Sequence, residues 1–248
     1  MDTIITRHRH ETRRRTLTVA QTTRLTPHMI RIVLTGPELA GFVSMAPDDH
    51  IKLIFETGTD RPAMRDYTPR AFDAQAGRLT VDFAVHNAGP ATAWAVAARP
   101  GDTLTIGGPR GSAVIASAFD WWLLIGDETA LPAMGRWVGE MPASARVHTL
   151  AAVPGAEDRQ VWTSAARLKT HWVHRPESAA ADPEPLLTAV RGMVLPEGRG
   201  FIWIAAEAQV ARALREHFAL DRGHPRPWIK AAGYWTRGVA DGAMTSLD

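Results

Sequence analysis

DTLTIGGPRGSAVIASAFDWWLLIGDETALPA (residues 102–133) decides the fold, because two kinds of strand meet in it. Its first part is a short strand that runs into a Gly/Pro turn, the style of an antiparallel sheet. Its last part, WWLLIGD (121–127), is a continuous apolar run, as in a strand buried on both faces. A helix is predicted to follow from about Ala130 to Glu140. The change of character falls near Ser117, which divides the chain into residues 1–117 and 118–248.

Upstream of that point the chain reads as strands. TLTVA (16–20) and MIRIVLTG (29–36) are short and β-branched. HIKLIFE (50–56) alternates, with Ile51, Leu53 and Phe55 on one face and Lys52 on the other. RLTVDFAVH (78–86) places Leu79, Val81, Phe83 and Val85 together, opposite Thr80, Asp82, Ala84 and His86. Residues 88–102 carry the marks of a short helix, with Pro90 near its first turn and Pro100-Gly101 at its end. Many short strands with one helix predict an antiparallel barrel.

Downstream, strands and helices alternate. The strand RVHTLAAV (146–153), a helical stretch, the strand HWVHR (171–175), an acidic Pro-rich segment (176–185), another helix, the buried strand FIWIAAE, the helix QVARALREHF and the strand PWIKAAGYW (227–235) succeed one another. This order predicts a parallel sheet with helices on both sides.

Composition narrows the chemistry. The 248 residues include no cysteine, which excludes disulfides, cysteine nucleophiles, thiolate-bound zinc and Cys-ligated clusters. Of the 28 basic residues only Lys52, Lys169 and Lys230 are lysines, so few groups titrate at alkaline pH and the pI near 9.4 overstates the basicity. The net charge of +2 does not mark a nucleic-acid binder. No apolar run approaches the ~20 residues of a membrane span, and no signal-peptide core is visible, so the expected location is the cytoplasm. Arg7, Arg9 and Arg13 to Arg15 read as a solvated basic arm or an anion-binding patch. His8 and His10 within it are weak metal candidates. Asp48-Asp49 reads as a surface pair, and no P-loop, GxSxG elbow or HExxH is present.

Four segments could carry chemistry. Arg65-Asp66-Tyr67-Thr68-Pro69-Arg70 offers a flat ring for stacking, a hydroxyl, and guanidinium groups suited to phosphate; the plainer reading is a polar turn. His86-Asn87-Ala88-Gly89-Pro90-Ala91-Thr92-Ala93-Trp94 ends a strand and opens a helix whose free N–H groups suit a phosphate, or is an ordinary strand–helix turn. Asp127-Glu128-Thr129-Ala130 follows a buried strand where doubly wound sheets bind dinucleotides, though it is no GxGxxG. Tyr234-Trp235 could cover a cofactor ring or anchor the core.

Taken in order, RDYTPR, VDFAVHNAGPATAWA, GDTLTIGGPRGS, LLIGDETALPA, HWVHR, AAEAQVARALREHF and AGYWTRG resemble the siderophore-interacting protein family over almost the whole chain. Those proteins are FAD-dependent ferric-siderophore reductases, similar to ferredoxin-reductase flavoproteins. The resemblance implies an N-terminal Greek-key barrel (1–117) that binds FAD and a C-terminal α/β domain (118–248) like a nicotinamide-binding fold. It puts Arg65 on the pyrophosphate, Tyr67 and Thr68 against the isoalloxazine, and His86, Gly89, Ala91, Thr92 and Trp94 on a second FAD segment. It assigns Asp127, Glu128, Thr129 and Ala130 to the segment between flavin and nicotinamide domain, and Tyr234 and Trp235 to a C-terminal aromatic pair. Thr236 stands where the family commonly has a second basic residue, and Ala206 where it often has glycine.

The implied reaction takes electrons from NADH or NADPH through FAD to Fe(III), with no protein acid or base and no metal site. A ferric siderophore is often anionic, so Lys52, Arg110 and Arg237 are candidate substrate contacts. A monomer without nucleic-acid or membrane partners is expected. A general NAD(P)H:flavin or ferric-chelate reductase is the nearest alternative, and a non-enzymatic siderophore-binding protein the other.

Overall fold

The computed structural model describes residues 3–56, 58, 61–86, 89–239 and 245–247. Asn87 and Ala88 of the second motif lie outside the described residues. The chain forms two compact units: Ile5–Ile115, and a second from Ala116 onward that also takes in the residues ahead of Ile5.

The first unit contains β1 (Ile5–Arg9), β2 (Arg14–Thr26), β3 (Met29–Thr35), β4 (Ile51–Phe55), β5 (Ala63–Tyr67), β6 (Ala71–Asp73), β7 (Arg78–Ala84), helix α1 (Pro90–Ala97), β8 (Thr103–Gly107) and β9 (Gly111–Ile115). Seven strands form an antiparallel sheet in the order β5-β4-β8-β2-β3-β7-β6, and β1 pairs separately with β9. The chain passes from β3 to β4 across β2 and β8, a Greek-key connection.

β5 and β6 are consecutive in the chain yet sit at opposite edges of the sheet, β5 on β4 and β6 on β7. The sheet therefore curls until its edges approach. Across this seam the Tyr67 and Phe83 rings pack with centroids 4.5 Å apart. The expected barrel is thus a curled sheet whose seam is the RDYTPR segment.

The alternation foreseen for β4 and β7 holds. Ile51, Leu53, Phe55, Leu79, Val81 and Phe83 are buried in one cluster, each contributing about 1.5–3 kcal/mol by leaving water. Helix α1 adds Ala91 and Ala95 to that cluster, and Ala98, just past its end, joins them.

Two expectations change in this unit. The basic arm is solvated at Arg7, Arg9, Arg13 and Arg14, but the backbone of Ile5–Arg9 pairs with Gly111–Ile115, and Arg15 is buried, its guanidinium donating to the carbonyls of Glu38, Gly41 and Gly108. Backbone pairing needs no apolar pattern, so composition did not reveal it. Asp48 and Asp49 are buried, and Asp49 Oδ2 accepts from Ser44 Oγ, Met45 N, Ala46 N and Ser112 Oγ. Asp82 faces away from the apolar row but is also buried, because Arg31 donates to both its oxygens at 2.7 Å.

The second unit contains β10 (Trp121–Gly126), α2 (Leu131–Glu140), β11 (Arg146–Val153), β12 (Arg167–His174), α3 (Glu184–Arg191), β13 (Gly200–Glu207), α4 (Ala208–Glu216), β14 (Ile229–Trp235) and β15 (Thr245–Ser246). The sheet order is β12-β11-β10-β13-β14-β15, with the first five strands parallel and β15 antiparallel to β14. Trp121, Leu123 and Ile125 join the cluster under α3 and α4. Trp122 turns to the other face, its ring 5.3 Å from Trp137 of α2. Both faces of β10 are covered, which is why it reads as an unbroken apolar run.

The helical stretch expected between β11 and β12 is absent. A single 3-10 turn, Ala156–Asp158, stands there, and β12 begins at Arg167. Side chains hold this segment instead: Trp162 packs on Trp172 at 5.4 Å, and Ser164 Oγ donates to the Val138 carbonyl at 2.6 Å. Among the described residues no helix is long and apolar enough to cross a membrane.

Candidate functional site

In the first unit the two motifs meet through one ring. Tyr67 lies at the end of β5, packed on Phe83; Phe83 lies 5.7 Å from Trp94 of α1, and Trp94 lies 5.8 Å from Phe55. Burial pushes the Tyr67 hydroxyl well above its ordinary pKa, only partly offset by Arg65, so it remains a neutral donor. Thr68 is buried, Arg65 Nη1 donates to the Met64 carbonyl at 2.9 Å, and Arg70 approaches Asp82 at 3.9 Å. His86 is exposed just past β7.

Helix α1 starts at Gly89, whose φ of 120° is a backbone conformation that side chains disfavour. A Cβ there would meet nothing within 4 Å among the described residues. Among the described residues no side chain caps the helix, and the N–H groups of Ala91 and Thr92 lack intrahelical partners. Thr92 Oγ1 is buried with no hydrogen-bond partner among the described residues. An uncapped helix start with an orphaned hydroxyl, beside a stack of flat rings, fits a group that is both phosphorylated and aromatic. FAD is such a group.

In the second unit the sheet order reverses between β10 and β13, and the site residues gather at the carboxyl ends of those strands. Gly126 lets β10 run into α2: a Cβ there would fall 2.4 Å from Ala130 Cβ and 2.8 Å from the Ala205 carbonyl. The buried Asp127 then ties the crevice together. Its Oδ1 accepts from Thr129 N at 2.9 Å and from Thr129 Oγ1, and its Oδ2 accepts from Glu207 N and Trp235 Nε1, both at 2.9 Å.

Glu207 caps α4, accepting from Gln209 N and Val210 N, and also accepts from Arg237 N. Glu128 receives both arms of the buried Arg175 guanidinium. Burial first, then Asp127, raises the Glu128 pKa, and Arg175 pulls it back. Trp235 and Tyr234 separate in role. A bulge at Ala206/Glu207 leaves Tyr234 unmatched in the ladder, its ring edge-on to Trp203 at 6.1 Å, while Trp235 holds Asp127.

The substrate candidates sit at three places. Lys52 faces outward on β4, its ammonium 2.8 Å from Asp66. Arg110 is exposed beyond β8, its carbonyl accepting from His10 N. Arg237 is exposed and donates to the Ser178 carbonyl at 2.7 Å. Sequence reading missed Asp66 as the partner of Lys52 and Arg175 as the partner of Glu128. The position of Arg175 at the carboxyl end of an expected parallel strand was the one available signal. No group of three or more His, Asp or Glu side chains able to hold a metal occurs among the described residues.

The family pattern described as "Siderophore-interacting FAD-binding domain" matches residues 18–60 and 56–113, and the one described as "Siderophore-interacting protein" matches 119–238. The chain belongs to the siderophore-interacting protein family. The two matched regions fall within the curled-sheet unit and the parallel-sheet unit respectively. Among relatives, the Escherichia coli (strain K12) "NADPH-dependent ferric-chelate reductase" is 33% identical, covering 92% of this chain and 95% of its own. The Vibrio cholerae "Ferric vibriobactin reductase ViuB" is 28% identical, covering 85% of each. The crystal structure of a siderophore utilization protein from T. fusca superposes with a TM-score of 0.89 at 35% identity, over 98% of both chains. The two-domain fold of the siderophore-interacting proteins is therefore the fold of this chain.

Proposed function

We propose that this siderophore-interacting protein is an FAD-dependent ferric-siderophore reductase, using NAD(P)H to reduce Fe(III) to Fe(II). The observation that carries the reading is the meeting of both flavin motifs at Phe83, within the region matched by the family's FAD-binding domain. FAD, when bound, accepts the electron pair of a hydride and releases electrons singly, which matches a donor of two to an acceptor of one. The balance is one NAD(P)H and two Fe(III) giving NAD(P)⁺, one proton and two Fe(II).

This chain's residues bind and orient. Arg65 and the uncapped start of α1 take the phosphates, with Gly89 leaving the backbone accessible and Ala91 seating the helix in the core. Tyr67, Thr68, His86 and Trp94 shape the ring site, and Thr92 donates its orphaned hydroxyl. Asp127, held by four donors, fixes the loop Glu128-Thr129-Ala130 and Trp235 at the crevice proposed for the donor, with Tyr234 packed behind. Lys52, Arg110 and Arg237 attract an anionic chelate. No protein acid or base is assigned, because the one proton released in this balance can pass directly to solvent.

In this reading residues 1–117 form the flavin domain and 118–248 the nicotinamide-binding domain. Dependence on NAD(P)H supports a cytoplasmic location, and two apolar clusters completed within one chain support a monomer. The net charge of +2 favours a small-molecule substrate over nucleic acid. The test is a visible spectrum with identification of the released cofactor, followed by ferrous-trap assays with NADH and NADPH. A flavin spectrum, FAD recovered, and faster turnover of ferric siderophores than of ferric citrate are expected. Equal rates would indicate a general ferric-chelate reductase, the reading favoured by the name of the Escherichia coli relative. A colourless protein that takes up no FAD would leave a binding protein.

A further inference from the structure

Residues 159–176, RQVWTSAARLKTHWVHRP, contain no acid, and neither does β11. These stretches form one border of the parallel sheet, because β12 pairs with β11 alone. Register sets Arg146 opposite Arg167 and His148 opposite Lys169, with His171 two residues further along β12. All five share the sheet face that carries Leu150 and Ala152. On that face α3 packs over the carboxyl halves of the two strands through Leu186 and Val190, and the cations lie beyond it. Arg167, Lys169 and His171 are exposed, and among the described residues Arg146, Arg167 and Lys169 make no ion pair. Burial, and then Lys169, His171 and Arg146, push the His148 pKa below its ordinary value, the mark of a positive potential that no acid offsets.

The other face of the same border carries apolar groups. Trp172 of β12 packs on Trp162 of the preceding loop at 5.4 Å, and both rings are half-buried. Trp162 Nε1 donates to Gln160 Oε1 at 3.2 Å, which holds the loop, and between them Val161 is 99% exposed. Cations without acidic partners, a tryptophan pair and a bare aliphatic side chain on one border suit the headgroup layer of an anionic bilayer. Lys and Arg attract acidic headgroups, and an indole is at home where one end is apolar and the other wet. Two other occupants fit less well. A second copy pairing edge to edge would set these cations against one another. Nucleic-acid bases need an open ring to stack on, and the two indoles are packed on each other.

We propose that the β12 border of the parallel-sheet unit docks on an anionic bilayer surface, with Arg146, Arg167 and Lys169 against the lipid headgroups and Val161 and Trp162 at the boundary with the acyl chains. The contact is shallow. The outer backbone edge of β12 stays hydrated, since an open strand edge in hydrocarbon leaves its N–H and C=O groups without partners. It needs no spanning helix, and each cation near such a surface strengthens binding about fivefold. The crevice proposed for the donor lies between β10 and β13, with β11 between it and the docked strand, and so stays open.

The test is co-sedimentation of the full-length, FAD-loaded protein with vesicles of phosphatidylcholine alone and of equal parts phosphatidylcholine and phosphatidylglycerol, at low salt. Binding to the anionic vesicles alone, weakening as salt is added, is expected. Lys169→Ala should weaken it about fivefold, and Arg167→Ala with Lys169→Ala about 25-fold. Val161→Ser leaves the charge unchanged and should weaken it about threefold. All three positions are exposed, so flavin content and melting temperature should stay near wild type. Binding to neither kind of vesicle, or equally to both, would overturn the proposal and leave the reductase reading intact. Vesicle binding indifferent to Val161→Ser, together with equally tight binding of single-stranded oligothymidylate, would also overturn it and mark a patch for polyanions at large.

Discussion

Thr92 shows how one atom can report an absent partner. A buried hydroxyl without a hydrogen bond costs about 1–3 kcal/mol, so its retention needs a reason outside the chain's own contacts. Thr92→Val should raise the stability of the flavin-free protein by about 1 kcal/mol while weakening FAD binding. Urea unfolding and flavin titration measure the two effects, and unchanged FAD affinity would remove the hydroxyl from the cofactor site.

Glu128 gives a pH dependence with a defined sign. Its folded pKa is raised, so its contribution to stability is full below the ordinary carboxylate range and is lost as pH rises through the folded value. Arg175 limits that loss. Arg175→Gln should cost about 3 kcal/mol at neutral pH, with the deficit shrinking in acid as Glu128 takes up a proton. A deficit independent of pH would show that Arg175 acts through packing alone. Lys52→Ala should raise the apparent KM for an anionic ferric siderophore about threefold to tenfold with flavin content unchanged; an unaltered KM would exclude Lys52 from the substrate site.

Among the elements, the junction of β10 with α2 is the tightest near the site. Gly126→Ala drives a methyl into Ala130 and the Ala205 carbonyl, neither of which can yield without moving a strand. The variant should lose about 3 kcal/mol, read as a shift in urea midpoint at constant slope. Both sheets owe their legibility to pattern. Period-two alternation in β4 and β7 announces one buried face, and unbroken apolar runs in β10 and β13 announce two. β5 and β6 carry neither signal: every residue of β5 is only half-buried, and β6 is three residues long. That is why RDYTPR read as a turn between strands when its first half is itself a strand.

For the whole molecule, the two units carry separate optical reporters. Eight of the nine tryptophans lie in the second unit, and Trp94 alone lies in the first. FAD binding only to the folded first unit stabilises it by about 4 kcal/mol at a thousandfold excess over Kd. The temperature of flavin release should therefore climb with added FAD. A release temperature indifferent to FAD concentration would contradict a specific flavin site.

The sequence by itself determined the class of each half, the order of most elements and the motifs that identify the family. These are local quantities, set by the period of apolar residues and by the short spacing within RDYTPR or LLIGDETALPA. Only the tertiary structure decided which residues become partners. Asp127 receives Trp235 from 108 positions away, Arg175 finds Glu128 across two strands, and Arg146 comes into line with Arg167 on the neighbouring strand. Register and strand order bring these groups together, and both follow from burying the whole sheet at once, a condition no single stretch of chain can express.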